Sequence, residues 1–113
     1  MDDIISWTSI EGLEKTMGRD PARAFAKRLL VFLESKVAEI PAAFAAKDGD
    51  AIRSCVHKLA SNAAALGALK LSGVARDIEA LCHAGNVDEA AAREAAFSAL
   101  AAQSLEILRQ RLT

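Results

Sequence analysis

The apolar positions of the chain fall into five runs, each at helical spacing and each ended by a turn signal. In the first, Ile10, Leu13 and Met17 recur three and four residues apart. Thr8 with Glu11 three residues later has the form of a capping box, and Gly18 stops the run. The second opens at Asp20-Pro21, read as an N-cap followed by Pro at the first helical position. Phe25, Leu29, Phe32, Leu33, Val37, Ile40 and Phe44 continue it as one stripe. Pro41 removes a backbone hydrogen bond within the stripe, so the spacing predicts a bend there rather than an end.

Lys47-Asp48-Gly49-Asp50 reads as a tight turn, with Asp48 or Asp50 as the next cap. The third helix carries Ile52, Val56, Leu59, Ala63 and Leu66, and Gly67 ends it. A fourth follows with Leu71, Val74, Ala75, Ile78, Leu81 and Cys82, broken at Gly85-Asn86. Asn86 is placed to cap the fifth, with Glu89 at the capping-box position. That helix uses Phe97, Leu100 or Ala101, Leu105, Leu108 and Leu112. Four long helices joined by short turns pack antiparallel with their neighbours. The pattern predicts an all-α fold, an antiparallel up-down-up-down four-helix bundle with a short extra N-terminal helix. It forms a single domain over residues 1–113.

Composition supports the class: 25 of the 113 residues are Ala, the strongest helix former and a poor strand former. A net charge of −1 leaves no basic footprint for nucleic acid. No apolar run approaches the ~18 residues of a membrane span. The acidic start Met1-Asp2-Asp3 does not resemble a signal peptide, which points to the cytoplasm. Cys55 and Cys82 are too few for a disulfide framework or a four-ligand metal site, and read as small apolar residues.

The chain offers little for catalysis. It has no Gly-rich phosphate loop, no His-Glu-x-x-His and no Gly-x-Ser-x-Gly. Its carboxylates are scattered over helix surfaces. Of two histidines, His83 falls in the last turn of the fourth helix, where a cation suits the helix dipole. His57 is more informative. At ~100° per residue, Ile52, Val56, Leu59, Ala63 and Leu66 lie ~180–260° from it. Arg53, Ala60, Ser61, Ala64 and Ala68 lie within ~60° of it. His57 is therefore expected on the solvent face in a clearing of small residues, where a partner could reach a ring nitrogen. Neutral imidazole is a good nucleophile. The same spacing also fits an ordinary exposed surface His. A metal site built from both His and a Cys is not expected, because His57 points away from the core.

The stretch His57-Lys58-Leu59-Ala60-Ser61-Asn62-Ala63-Ala64-Ala65-Leu66-Gly67-Ala68 resembles the signature of histidine-containing phosphotransfer domains. That family has roughly His-x-Leu-Lys-Gly, a few small residues, then Leu-Gly-Ala. Gly18-Arg19-Asp20-Pro21, the Leu29–Leu33 run, Gly49-Asp50 and Leu71…Ala75…Ile78-Glu79 also sit where the family has similar residues. The resemblance implies a phosphoryl carrier of a two-component multistep phosphorelay, with His57 matching the phospho-acceptor. It implies response-regulator receiver domains and an upstream histidine kinase as partners. The chain itself would need no cofactor and no ATP site, and the Mg²⁺ would sit on the receiver. Gly67 matches the Gly that closes the motif, and Ser61 replaces a Gly. Ala60 stands where the family has Lys, so Arg53 and Lys58 become the nearest cations to a phosphate. The residues named for phosphate contact or partner docking are thus Arg53, Lys58, Ala60, Ser61, Ala64 and Gly67.

Two other readings fit parts of the pattern. A non-catalytic helical adaptor would bind a receiver or kinase without transfer, and would explain Ala60. A kinase-type dimerisation bundle would pair two helices from each of two chains; four long helices in one chain argue for a monomer instead.

Overall fold

The computed structural model describes residues 4–113. The acidic start Met1-Asp2-Asp3, from which no export signal was expected, lies outside these residues. The described chain is helical throughout: α1 (Thr8–Met17), α2 (Arg19–Ala38), α3 (Ile40–Ala45), α4 (Gly49–Ala65), α5 (Leu69–His83), α6 (Val87–Ala92) and α7 (Glu94–Leu112). The four long helices form a closed circuit of contacts. α2 packs on α4, α4 on α5, α5 on α7, and α7 on α2. α1 lies against α2. No helix among the described residues is long and apolar enough to cross a membrane.

Two of the expected single helices are each interrupted once. Glu39 separates α2 from α3, and its backbone stays in the right-handed region (φ −80°, ψ −13°). The missing N–H of Pro41 therefore produces a local break and not a reversal. Arg93 divides α6 from α7 in the same way (φ −85°, ψ −6°). The caps are less regular than the motifs suggest. Asp48 does cap α4, accepting from the Asp50 N–H at 3.0 Å. Thr8 is already inside α1 and makes no cap bond. α2 begins one residue ahead of Asp20, so Gly18 and not Asp20 precedes it. Asn86 holds the N-cap position of α6 without a side-chain bond.

The core-facing side of α2 also differs from the expected stripe. Its buried residues are Ala22, Ala26, Leu30 and Leu33, while Phe32 is 49% exposed and Leu29 half-buried. Alanine seats this helix closely against its neighbours, which turns the bulkier Phe25–Leu29–Phe32 row toward the rim. The centre is filled by Leu33, Ile40, Ile52, Leu59, Leu66, Leu71, Ile78, Phe97 and Leu108, all nearly inaccessible. Each such side chain contributes ~1.5–3 kcal/mol through burial.

α4 has the widest buried surface. On the helical wheel its buried residues span ~140° to ~300° from His57, because Asn62 and Ala60 extend the arc at its two ends. Polar bonds tie both edges. Asn62 Nδ2 donates to the Leu29 carbonyl at 3.0 Å, joining α4 to α2. Ser72 Oγ donates to the Ala60 carbonyl at 2.9 Å, joining α5 to α4. What remains for solvent is a strip of α4 about 200° wide that includes His57.

Candidate functional site

His57 stands on this strip, with 59% of its side chain exposed. Its ring does not hang free. Nδ1 lies 2.6 Å from Oε2 of Glu79, which reaches across from α5. An ionised carboxylate only accepts hydrogen bonds, so the proton of this bond belongs to Nδ1. In the neutral ring the lone pair is then on Nε2. The other carboxylate oxygen, Oε1, is 3.4 Å from a guanidinium nitrogen of Arg76, one turn earlier on α5. Glu79 is 23% exposed, so the contact is screened from water more than a surface pair would be.

Two unlike clefts flank the ring. On one side Arg53, Ser54, His57, Lys58 and Glu79 line a cleft of about 270 Å³ bordered by charged side chains. On the other, Leu29, Phe32, Ser61, Asn62 and Ala65 join His57 and Lys58 around a largely apolar cleft of about 540 Å³. Phe32 carries Lys36 Nζ 5.3 Å from its ring centre, a cation–π contact at the rim of that apolar surface.

The structure brings together Arg53, Lys58 and Ser61 with His57. Arg53 is half exposed and makes a long, 4.0 Å contact to Asp50. Lys58 borders both clefts. The Ser61 hydroxyl donates back to the His57 carbonyl at 3.4 Å and keeps its position small and polar. Ala64 is partly exposed.

Three expectations are corrected. Ala60 is fully buried rather than beside an exposed phosphate position, because α5 packs over that edge of α4 and Ser72 bonds its carbonyl. Ala68 is likewise buried, since α4 ends at Ala65 and its helical phase does not reach residue 68. Gly67 is buried at the end of α4, ten residues and therefore ~15 Å along the helix from His57. Its φ is +84°, and its carbonyl accepts from the Ser6 N–H at 2.7 Å. A Cβ there would stand 1.9 Å from the Ser6 carbonyl oxygen. The glycine is thus needed for a close backbone crossing. The small residues near His57 serve helix packing as much as access.

Glu79 and Arg76 were not singled out as site residues from the pattern, and Leu29 and Phe32 were assigned to the core. Large apolar residues on a helix that also carries a separate Ala/Leu face are the one signal that pointed to a surface patch. His83 ends α5, as expected; it is exposed and borders a further small cleft with Arg53, Arg76, Glu79 and Ala80. Cys55 is buried and Cys82 partly so; both are free thiols. Burial pushes both thiols above their ordinary range. Glu39 adds to this at Cys55 while Lys36 and Lys58 oppose it, and Arg53 opposes it at Cys82. Among the described residues no group of three or more His, Cys, Asp or Glu is arranged to hold a metal ion.

Comparison with known proteins agrees with this fold. The fold is similar to the crystal structure of histidine-containing phosphotransfer protein B (HptB) from Pseudomonas aeruginosa PAO1. The TM-score is 0.85 at 19% sequence identity, over 99% of this chain and 96% of that one. No curated protein sequence matches the chain significantly. The family model for the Hpt domain matches residues 24–111, a span that includes His57, Arg76 and Glu79. The chain belongs to the Hpt domain family, the histidine phosphotransfer proteins of phosphorelay signalling.

Proposed function

We propose that this chain carries its phosphoryl group on Nε2 of His57 and exchanges it with response-regulator receiver domains. One observation supports this above the rest: an exposed imidazole on α4 whose Nδ1 is tied to Glu79 at 2.6 Å. That bond orients the ring and leaves the nucleophilic lone pair on Nε2. Phosphoryl transfer asks for positioning and charge stabilisation more than for covalent work by the protein. Nε2 attacks the phosphorus of an aspartyl phosphate in line. The Nε2–P bond forms as the P–O bond to the aspartate breaks, and the carboxylate leaves. The Nδ1 proton stays in its bond to Glu79, so no proton need move. The reverse transfer follows the same path. The Mg²⁺ and much of the compensating charge come with the receiver, and an upstream histidine kinase loads the relay. On this chain, Arg53 and Lys58 border the smaller cleft beside His57, where the phosphoryl group would lie. Ser61 and Ala64 keep the approach open.

In this reading the protein works as a monomer in the cytoplasm. It is one domain, an antiparallel up-down-up-down four-helix bundle of α2, α4, α5 and α7, with α1 as the short extra helix. The circuit of contacts among those four helices supports that arrangement.

Incubation with a ³²P-labelled phospho-receiver tests the proposal. The parent should acquire acid-labile, base-stable label. His57→Gln should acquire none, and His83→Gln should label as the parent does. A stable complex without label would favour the adaptor reading, and label persisting in His57→Gln would move the acceptor elsewhere. Purified protein given ATP and Mg²⁺ alone should stay unlabelled.

A further inference from the structure

A glutamate that crosses between two helices to hold a catalytic ring has two weaknesses. Its side chain is flexible, and fixing it costs up to ~2 kcal/mol of rotamer entropy. Its negative charge also lies beside a position that must accept a phosphoryl group carrying up to about two negative charges. Arg76 answers both. It sits three residues before Glu79 on α5, so the two side chains share one face of that helix. Its guanidinium meets Oε1 at 3.4 Å while Oε2 meets the His57 ring at 2.6 Å. The carboxylate is thus divided, one oxygen to each partner. Arg76 also borders the small cleft that contains Arg53 and Glu79, which places its charge on the α5 side of the site. Position 60 supplies no charge, since its residue is an alanine, buried under α5.

We propose that Arg76 is a positioning residue for the chemistry at His57. By holding Oε1 it commits Oε2 to Nδ1, keeps the ring proton on Nδ1, and offsets the carboxylate charge that would otherwise face the arriving phosphoryl group. The inference rests on the phosphotransfer reading, but its first readout does not need transfer to occur.

Protein labelled with ¹⁵N in histidine reports the tautomer of the neutral His57 ring through its two nitrogen shifts. Transfer from a phosphorylated receiver is followed in parallel. Arg76→Ala should raise the share of ring carrying its proton on Nε2 and slow phosphoryl uptake, each about two- to fivefold, the range expected of a half-exposed ion pair. Arg76→Lys should restore most of both. The thermal midpoint should barely move, since Arg76 is half exposed. In a Glu79→Ala background, Arg76→Ala should change neither readout. Unchanged tautomer populations in Arg76→Ala would overturn the proposal. So would a full Arg76 effect that persists without Glu79. Failure of the parent to take label would instead sink the phosphotransfer reading, and the ring measurement would still decide the role of Arg76 in holding the tautomer.

Discussion

Replacing Gly67 by Ala separates two roles that the motif alone leaves joined, closing α4 and serving the chemistry at His57. The residue has φ +84°, a conformation that costs a residue with a Cβ ~1–2 kcal/mol. The new Cβ would start 1.9 Å from the Ser6 carbonyl oxygen. Both atoms are anchored to backbone, so no rotamer change relieves the clash. Ser6 must withdraw, and its 2.7 Å bond to the Gly67 carbonyl weakens or breaks, at a further ~0.5–1.5 kcal/mol. Ile5, which is 4% exposed, is pulled from the core with it. The total is ~2–4 kcal/mol from a stability of ~5–15 kcal/mol for a domain of this kind. At roughly 4 °C per kcal/mol, the thermal midpoint should fall by about 8–16 °C. Urea titration followed by circular dichroism gives the free energy directly. His57 lies ~15 Å away along α4. At a temperature where the variant is still folded, phosphoryl uptake should therefore match the parent. A loss below ~1 kcal/mol would refute the steric argument, and a collapse of transfer in fully folded protein would restore Gly67 to the site.

Ser61→Arg and Ala64→Glu should block receiver docking, measured as lost binding by titration calorimetry, while stability changes by no more than ~0.5 kcal/mol. Ala60→Lys, the substitution that restores the family residue, should lower stability by ~1–3 kcal/mol. A cation there meets the packed face of α5, and thermal melts read the cost. Both thiols hold their protons more tightly in the folded chain than at the ordinary value of 9.0. Their contribution to stability is complete below that value and is lost as pH rises through the raised folded values. Urea midpoints should therefore decline above ~pH 9, and decline less in Cys55→Ala/Cys82→Ala when each protein is referenced to its own neutral value.

Much of the helical order was legible because it is local. Asp48 capping α4, Gly67 and Gly85 ending helices with φ above +80°, and the Pro41 interruption all depend on residues near in sequence. The exposed placement of His57 was legible for the same reason, since α4 is regular and its apolar side is strongly marked. Ala60 was misplaced because a helix wheel shows one apolar direction, while α4 is covered by neighbours over ~160°. An alanine at the edge of that arc gives no hint of which helix lies over it. Phe32 erred the opposite way. Its bulk suggested core, but Ala22 and Ala26 occupy the close contact. Glu79 was unreachable by pattern, because its partner lies 22 residues away on another helix and the pairing depends on how α5 is seated. Where the chain follows Hpt order, the resemblance points to His57, which stands exposed on α4. Where Ala60 departs from that order, only packing shows that the position no longer faces the chemistry.

The bond from Ser72 to the Ala60 carbonyl has a consequence for states short of the native one. It fixes the spacing of α4 and α5 beside the link between Glu79 and His57. The ring's orientation therefore belongs to the tertiary fold and not to the helix that carries it. An expanded state in mild acid or low denaturant, with every helix intact and α4 and α5 apart by an ångström or two, would keep its far-ultraviolet dichroism. It would already have released the imidazole to rotate. If the proposed role of His57 holds, phosphoryl uptake should be lost before helicity is, which makes it a more sensitive gauge of packing than the spectrum.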